Sequence, residues 1–127
     1  MKQRILIAED TEDLRELYAF TLEMEGYEVQ SVEDGQSAYE EFLRHPPALL
    51  VTDLSLPRMD GFAVIQAIKQ EPRFSAIPVI LVSAFGNGRL KQLKPLGVNL
   101  VLEKPIEPET LLQAVETILH PSPANLD

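Results

Sequence analysis

The chain has no cysteine, so it can build neither a disulfide framework nor a thiolate metal site. It lacks any apolar run approaching bilayer length, and its start does not read as a signal peptide. A cytoplasmic protein with no membrane partner is the expectation. Positive charge is scarce: 11 basic residues stand against 20 acidic ones, for a net charge of −9. Such a surface repels phosphate backbones, which argues against direct nucleic-acid binding. Disorder is not expected either, because 45% of the 127 residues are hydrophobic and that length suits one folded domain.

What is present is unevenly placed. Glu9, Asp10, Glu12 and Asp13 crowd together immediately after a strand-like run, and that density asks for a cation. The strand-like runs are Ile5-Leu6-Ile7-Ala8, Ala48-Leu49-Leu50-Val51, Val79-Ile80-Leu81-Val82 and Leu100-Val101-Leu102. They are continuous rather than alternating, as strands covered on both faces of a parallel sheet are. Tyr27-Glu28-Val29-Gln30-Ser31 is weaker and reads as an edge strand.

Helical patterns lie between the runs. Leu14, Leu17, Tyr18 and Leu22 share one face, and Gly26 supplies a left-handed stop. Gln36 to Arg44 carries Ala38, Tyr39, Phe42 and Leu43 before Pro46-Pro47. Phe62, Ile65 and Ile68 mark a helix opened by Asp60-Gly61. Pro108 suits a first turn, with Leu111, Leu112, Val115, Ile118 and Leu119 following and His120-Pro121 closing. A further helix before Gly97 is weakened by Gly86, Gly88 and Pro95, so a short mobile element is expected there. Strand and helix therefore alternate, which implies an α/β doubly wound sheet with right-handed crossovers. Residues 1–120 form one domain in this reading, and 121–127 a flexible C-terminal tail.

Ligands of open α/β sheets bind beyond the carboxyl ends of the strands. Glu9 and Asp10 follow the first run, Asp53 the second strong run, Ser83 the next and Lys104 the last. Clustered carboxylates repel one another unless a cation joins them, and oxygen ligands suit Mg²⁺. One carboxylate can then act as nucleophile toward phosphorus, while the ammonium and the hydroxyl stabilise charge on the moving phosphoryl oxygens.

In these residues the chain resembles the receiver domain of bacterial response regulators, from Lys2 to about Leu119. Glu9-Asp10 matches the family's acidic pair, and Asp53 in Val51-Thr52-Asp53-Leu54 its phosphoacceptor. Pro57, Met59, Asp60 and Gly61 match the turn that follows, Ser83-Ala84 the switch pair, and Lys104-Pro105 the dipeptide ending the last strand. The resemblance implies a five-stranded sheet in the flavodoxin-like order 2-1-3-4-5 and a signalling regulator rather than an enzyme, one that assists its own phosphorylation and dephosphorylation. Asp53 would be the nucleophile; Asp10 and Asp53 would ligate Mg²⁺ directly, Glu9 mainly through water and Ser55 through its backbone carbonyl. Lys104 would contact the phosphoryl group, joined after transfer by the Ser83 hydroxyl and the Ala84 amide. A cis Lys104-Pro105 bond is common in the family. The implied partners are a histidine kinase or histidine phosphotransfer protein, an unidentified downstream protein, and a second copy, since the family often presents its last helix, last strand and fourth helix to partners.

Some residues depart from the pattern. Val101 stands where the family carries an aromatic switch, so movement of the 86–95 segment is expected to carry output instead. Phe85 is expected to shield an acyl phosphate from water and slow its loss. Glu12 and Asp13 suit a helix start, and His45 and His120 suit helix C-termini, with no catalytic role. A flavin carrier fails because Glu9 to Asp13 would repel its phosphate. An aspartate-nucleophile phosphatase fails because Ser55 occupies the place of its second acid. The remaining alternative is a receiver-like docking module that is not phosphorylated.

Overall fold

The computed structural model describes residues 2–84 and 97–121 of the chain. Strands β1 (Arg4–Ala8), β2 (Glu28–Val32), β3 (Leu49–Asp53), β4 (Val79–Ser83) and β5 (Leu100–Glu103) form one parallel sheet in the order β2-β1-β3-β4-β5. Among the described residues, the helices are α1 (Glu12–Met24), α2 (Gly35–Arg44), α3 (Gly61–Gln70) and α4 (Pro108–Leu119). The expected class and strand order are therefore observed. Phe85, the weak 86–95 segment and the tail beyond Pro121 lie outside the described residues.

Every residue of β3 and β4 is buried, and successive side chains enter opposite layers. Leu6, Leu50 and Leu81 pack with Phe42 of α2 and Ile65 and Ile68 of α3. Ile7, Val51 and Val82 pack with Tyr18 and Leu22 of α1 and Leu111 and Val115 of α4. Two greasy faces per strand explain the unbroken apolar runs. Each such side chain contributes about 1.5–3 kcal/mol on burial.

β2 begins one residue later than its sequence pattern suggests, because the Tyr27 amide closes the end of α1. Gly26, at φ 95°, donates to Glu23 O at 3.0 Å, and Tyr27 N donates to Leu22 O at 3.2 Å. Those two bonds form a Schellman closure, and they hold the Tyr27 amide. Two apolar residues assigned to inner helix faces, Leu17 and Leu43, are instead 41% exposed. On α1 the buried residues are Tyr18 and Leu22, with Leu14 packed beside them, a narrower i, i+4, i+8 stripe that leaves Leu17 at its flank.

Asp34 and Asp60 start the helices that frame the functional edge. Asp34 Oδ1 accepts the Ser37 amide at 2.7 Å, and Asp60 Oδ1 accepts the Ala63 amide at 2.8 Å.

Candidate functional site

The connection from β1 leads outward to β2, whereas that from β3 leads the opposite way to β4, so the sheet switches direction between β1 and β3. Ala8 is in register with Thr52, which sends Glu9 and Asp53 off neighbouring strands at the same level. One carboxylate oxygen from each of Glu9, Asp10 and Asp53 lies within 4.8 Å of the others. Glu9 and Asp53 are buried, while Asp10 is exposed at the rim.

Lys104 arrives from the far edge. Its amide donates to Ser83 O at 2.7 Å, which ties the end of β5 to the end of β4. Its ammonium donates to Asp53 Oδ2 at 2.6 Å and to Glu9 Oε1 at 2.8 Å. Burial alone would push the lysine down, but bonds to Asp53 and Glu9 outweigh it and hold the ammonium above its ordinary value of 10.5. Three carboxylates against one ammonium leave two negative charges, which a divalent cation would neutralise. Hard oxygen donors, one of them exposed to solvent, fit Mg²⁺.

Beside the lysine, Leu14, Tyr18, Ala84, Lys104, Pro105 and Ile106 line a cleft of about 370 Å³. Burial raises the Tyr18 phenol above its ordinary value; Lys104 opposes the rise while Glu9 and Asp53 add to it. The phenol therefore stays protonated next to the charged cluster, a proximity that its place in an apolar helix stripe gave no sign of. The Lys104-Pro105 peptide is cis, as the resemblance implied.

The chain leaves β3 through a tightly stitched turn. Ser55 N donates to Asp53 Oδ1 at 3.1 Å, and Gly61 N donates to Leu54 O at 2.8 Å. Met59 N donates back to Pro57 O at 2.7 Å across Arg58, whose φ is 68°. A three-residue closure with positive φ at its centre is the rarer, strained form of γ-turn. Backbone strain of this kind costs of order 1–3 kcal/mol. A Cβ on Gly61 would meet Asp53 O at 2.1 Å, and one on Gly35 would meet Met59 O at 1.4 Å. Both positions therefore require glycine.

Glu9, Asp10, Asp53 and Lys104 thus come together as the sequence suggested. Glu9 gives both oxygens to protein donors, Oε1 to Lys104 and Oε2 to the Thr11 amide at 2.9 Å. Ser83 is buried at the end of β4, next to β3, and Ala84 is exposed beside the lysine cleft. Ser55 is exposed in the turn, where a further cleft of about 400 Å³ opens among Asp10, Leu54, Ser55, Leu56, Pro57 and Asp60. Val101 packs into the layer of α2 and α3. His45 and His120 sit at helix C-caps away from this edge. A cluster that sequence reasoning missed is Asp34, Ser37 and Arg58: Arg58 Nη2 donates to Asp34 Oδ2 at 2.9 Å and to Ser37 Oγ at 3.1 Å. Its only local signal is the Asp-Gly step before α2, which marks a cap but not the arginine.

The response regulator receiver domain model matches residues 5–116. The chain belongs to that family. This receiver is 36% identical over 118 residues to the DNA-binding dual master transcriptional regulator RpaA of Synechocystis, covering 92% of the receiver and 49% of RpaA. The receiver therefore spans about half the length of that relative, and the same holds for a probable transcriptional regulator ycf27 of Galdieria sulphuraria, of which it covers 46% at 36% identity. Among solved structures, the chemotaxis response regulator CheY4 of Vibrio cholerae superposes with a TM-score of 0.87 at 26% identity, covering 93% of the receiver and 99% of CheY4. No helix of the described residues is long and apolar enough to cross a membrane.

Proposed function

We propose that this receiver takes a phosphoryl group onto Asp53 from a histidine kinase or histidine phosphotransfer protein, as one step of a two-component phosphorelay dependent on Mg²⁺. The observation that carries this reading is the buried Asp53 carboxylate, bonded to Lys104 and within 4.8 Å of oxygens from Glu9 and Asp10. One Asp53 oxygen forms the new P–O bond while the donor's P–N bond breaks, and the departing imidazole nitrogen keeps that electron pair. Lys104 neutralises charge on the transferred group, joined by the Ser83 hydroxyl and the Ala84 amide. Asp10, Asp53 and the Ser55 carbonyl are the direct cation ligands in this reading. Glu9, committed to Lys104 and the Thr11 amide, acts through water. The bound ion would supply charge neutralisation at the phosphoryl oxygens. The receiver assists its own phosphorylation and dephosphorylation and turns over no other substrate.

RpaA is named as DNA-binding, but this chain corresponds to 49% of it and carries a net charge of −9. That charge favours a protein as the downstream partner of the receiver itself. Residues 1–120 act as the folded unit in this reading, in the cytoplasm.

Incubation with acetyl phosphate, with and without Mg²⁺, tests the proposal by intact mass at acid pH. A Mg²⁺-dependent gain of one phosphoryl group in wild type, absent in Asp53→Asn, is expected. A folded protein that gains none would instead be a docking module that is not phosphorylated, the reading that Val101 at the switch position favours.

A further inference from the structure

Arg58 is the one non-glycine residue with a left-handed backbone among the described residues, and its own side chain fastens it there. The partner carboxylate is not a casual surface group. Asp34 is buried, caps α2 through the Ser37 amide, and accepts the Ser37 hydroxyl at 3.1 Å as well as the arginine. Burial pushes the Asp34 carboxyl up, but the Ser37 amide, Arg58 and the Ser37 hydroxyl outweigh it and hold it below its ordinary value of 3.8.

The turn is gripped a second time from the same helix. Gly35 N donates to Pro57 O at 3.2 Å, the same carbonyl that closes the turn on Met59 N. At the other end, Leu54 N donates to Val82 O at 3.1 Å and fixes the exit from β3. Only Leu54, Ser55 and Leu56 lie between the β3 end and Pro57, so this short span is pinned at both ends. Asp10 and Arg58 also line one cleft of about 550 Å³ with Glu33, Asp34, Ser37 and Pro57, which sets the clasp against the acidic site.

We propose that the Asp34–Arg58 pair is a clamp: it holds the strained turn after Asp53 and thereby sets the cation affinity of the acidic cluster. The inference rests on the reading that this cluster takes Mg²⁺. Ser55 is the ligand-bearing residue of the pinned span, and Arg58 acts on it as a positioning residue through Pro57. With the clamp closed, the Ser55 carbonyl is ordered before the ion arrives, and little freedom is lost on binding. With the clamp open, the strained turn relaxes and that ordering must accompany binding.

Charge alone predicts the reverse. Removing a guanidinium from the rim makes the site more negative, which would tighten a divalent cation. Arg58→Ala therefore separates the two explanations. Titration with MgCl2 by calorimetry should give an affinity about tenfold weaker in Arg58→Ala, the lower end for lost outer-shell support. Arg58→Lys, which keeps the charge against Asp34, should recover part of it. Unchanged or tighter binding in Arg58→Ala would overturn the clamp. Hydrogen exchange without Mg²⁺ gives an independent reading: the Met59 and Gly61 amides should exchange faster in Arg58→Ala while the sheet amides stay protected, and equal rates would overturn the proposal. Wild type that binds no Mg²⁺ would sink the cation reading instead, and the exchange comparison alone would then decide whether the turn is clamped.

Discussion

The ammonium of Lys104 lies 2.6 Å from Asp53 Oδ2, although the two residues are 51 positions apart in the chain. The lysine also holds Glu9, so one side chain keeps two buried carboxylates at close quarters. Removing one member of such a pair leaves buried charge uncompensated. Lys104→Met is expected to lower stability by roughly 3 kcal/mol in chemical unfolding. Added Mg²⁺ should recover more of that loss than it adds to wild type. Equal unfolding midpoints for mutant and wild type would contradict the buried-pair account.

The same pair fixes a dependence on alkaline pH. Folded Lys104 holds its proton above the ordinary 10.5. Its stabilisation is therefore complete below that value and is lost as pH rises through the higher folded value. Tyr18, also raised, acts in the same direction above its ordinary 10.0. Urea midpoints measured upward from pH 10 should fall in wild type and fall less steeply in Lys104→Met.

Asp34 gives the acid counterpart. Its folded carboxyl lies below the ordinary 3.8, so its stabilisation is present above that value and disappears as pH falls through the folded one. Asp34→Asn keeps a helix-capping oxygen but not the charge. Its acid unfolding curve should flatten relative to wild type in that window; parallel curves would count against the Arg58 interaction.

Divalent cation binding to the folded form alone should raise stability by mass action. At ten times the dissociation constant the gain is about 1.4 kcal/mol. A Mg²⁺-dependent rise in melting temperature is expected for wild type and should shrink in Asp10→Asn. No rise in wild type would remove the cation from the reading of the site.

Three glycines provide a graded test of backbone fit. Gly26 has open space around it but a φ of 95°, so Gly26→Ala should cost about 1 kcal/mol from conformation alone. Gly35→Ala drives a methyl onto Met59 O and should cost ~3 kcal/mol or more. Gly61→Ala, facing Asp53 O, should disturb the acidic site itself. Comparable losses for Gly26→Ala and Gly35→Ala would refute the contact between α2 and the turn.

The parts of this fold that could be read from sequence are those with local causes. β1, β3 and β4 are covered on both faces, so their apolar runs are continuous, and residues just past them had to be site candidates. The apolar pattern starts β2 one residue early because Tyr27 is apolar enough for a strand, while its amide is spent on the end of α1. Leu17 and Leu43 fit a helix period yet sit at the flank of the buried stripe, where period alone cannot separate rim from core. The Asp34–Arg58 clasp joins residues 24 apart and needed the tertiary arrangement to appear. The proximity of Tyr18 to Lys104 is of the same kind. The fixed pairing of Glu9 with Lys104, 95 positions apart, likewise depends on where β1 and β5 end.

Glu28 and Gln30 stand exposed along β2, one of the two outer strands, and Arg4 reaches Glu28 at 3.6 Å from the neighbouring strand. A second molecule adding its own β2 in antiparallel fashion around Glu28 would bring like charges face to face, a mismatch that discourages sheet growth. That border is thus guarded against runaway association, so a crowded solution of this acidic protein should stay dispersed on that side.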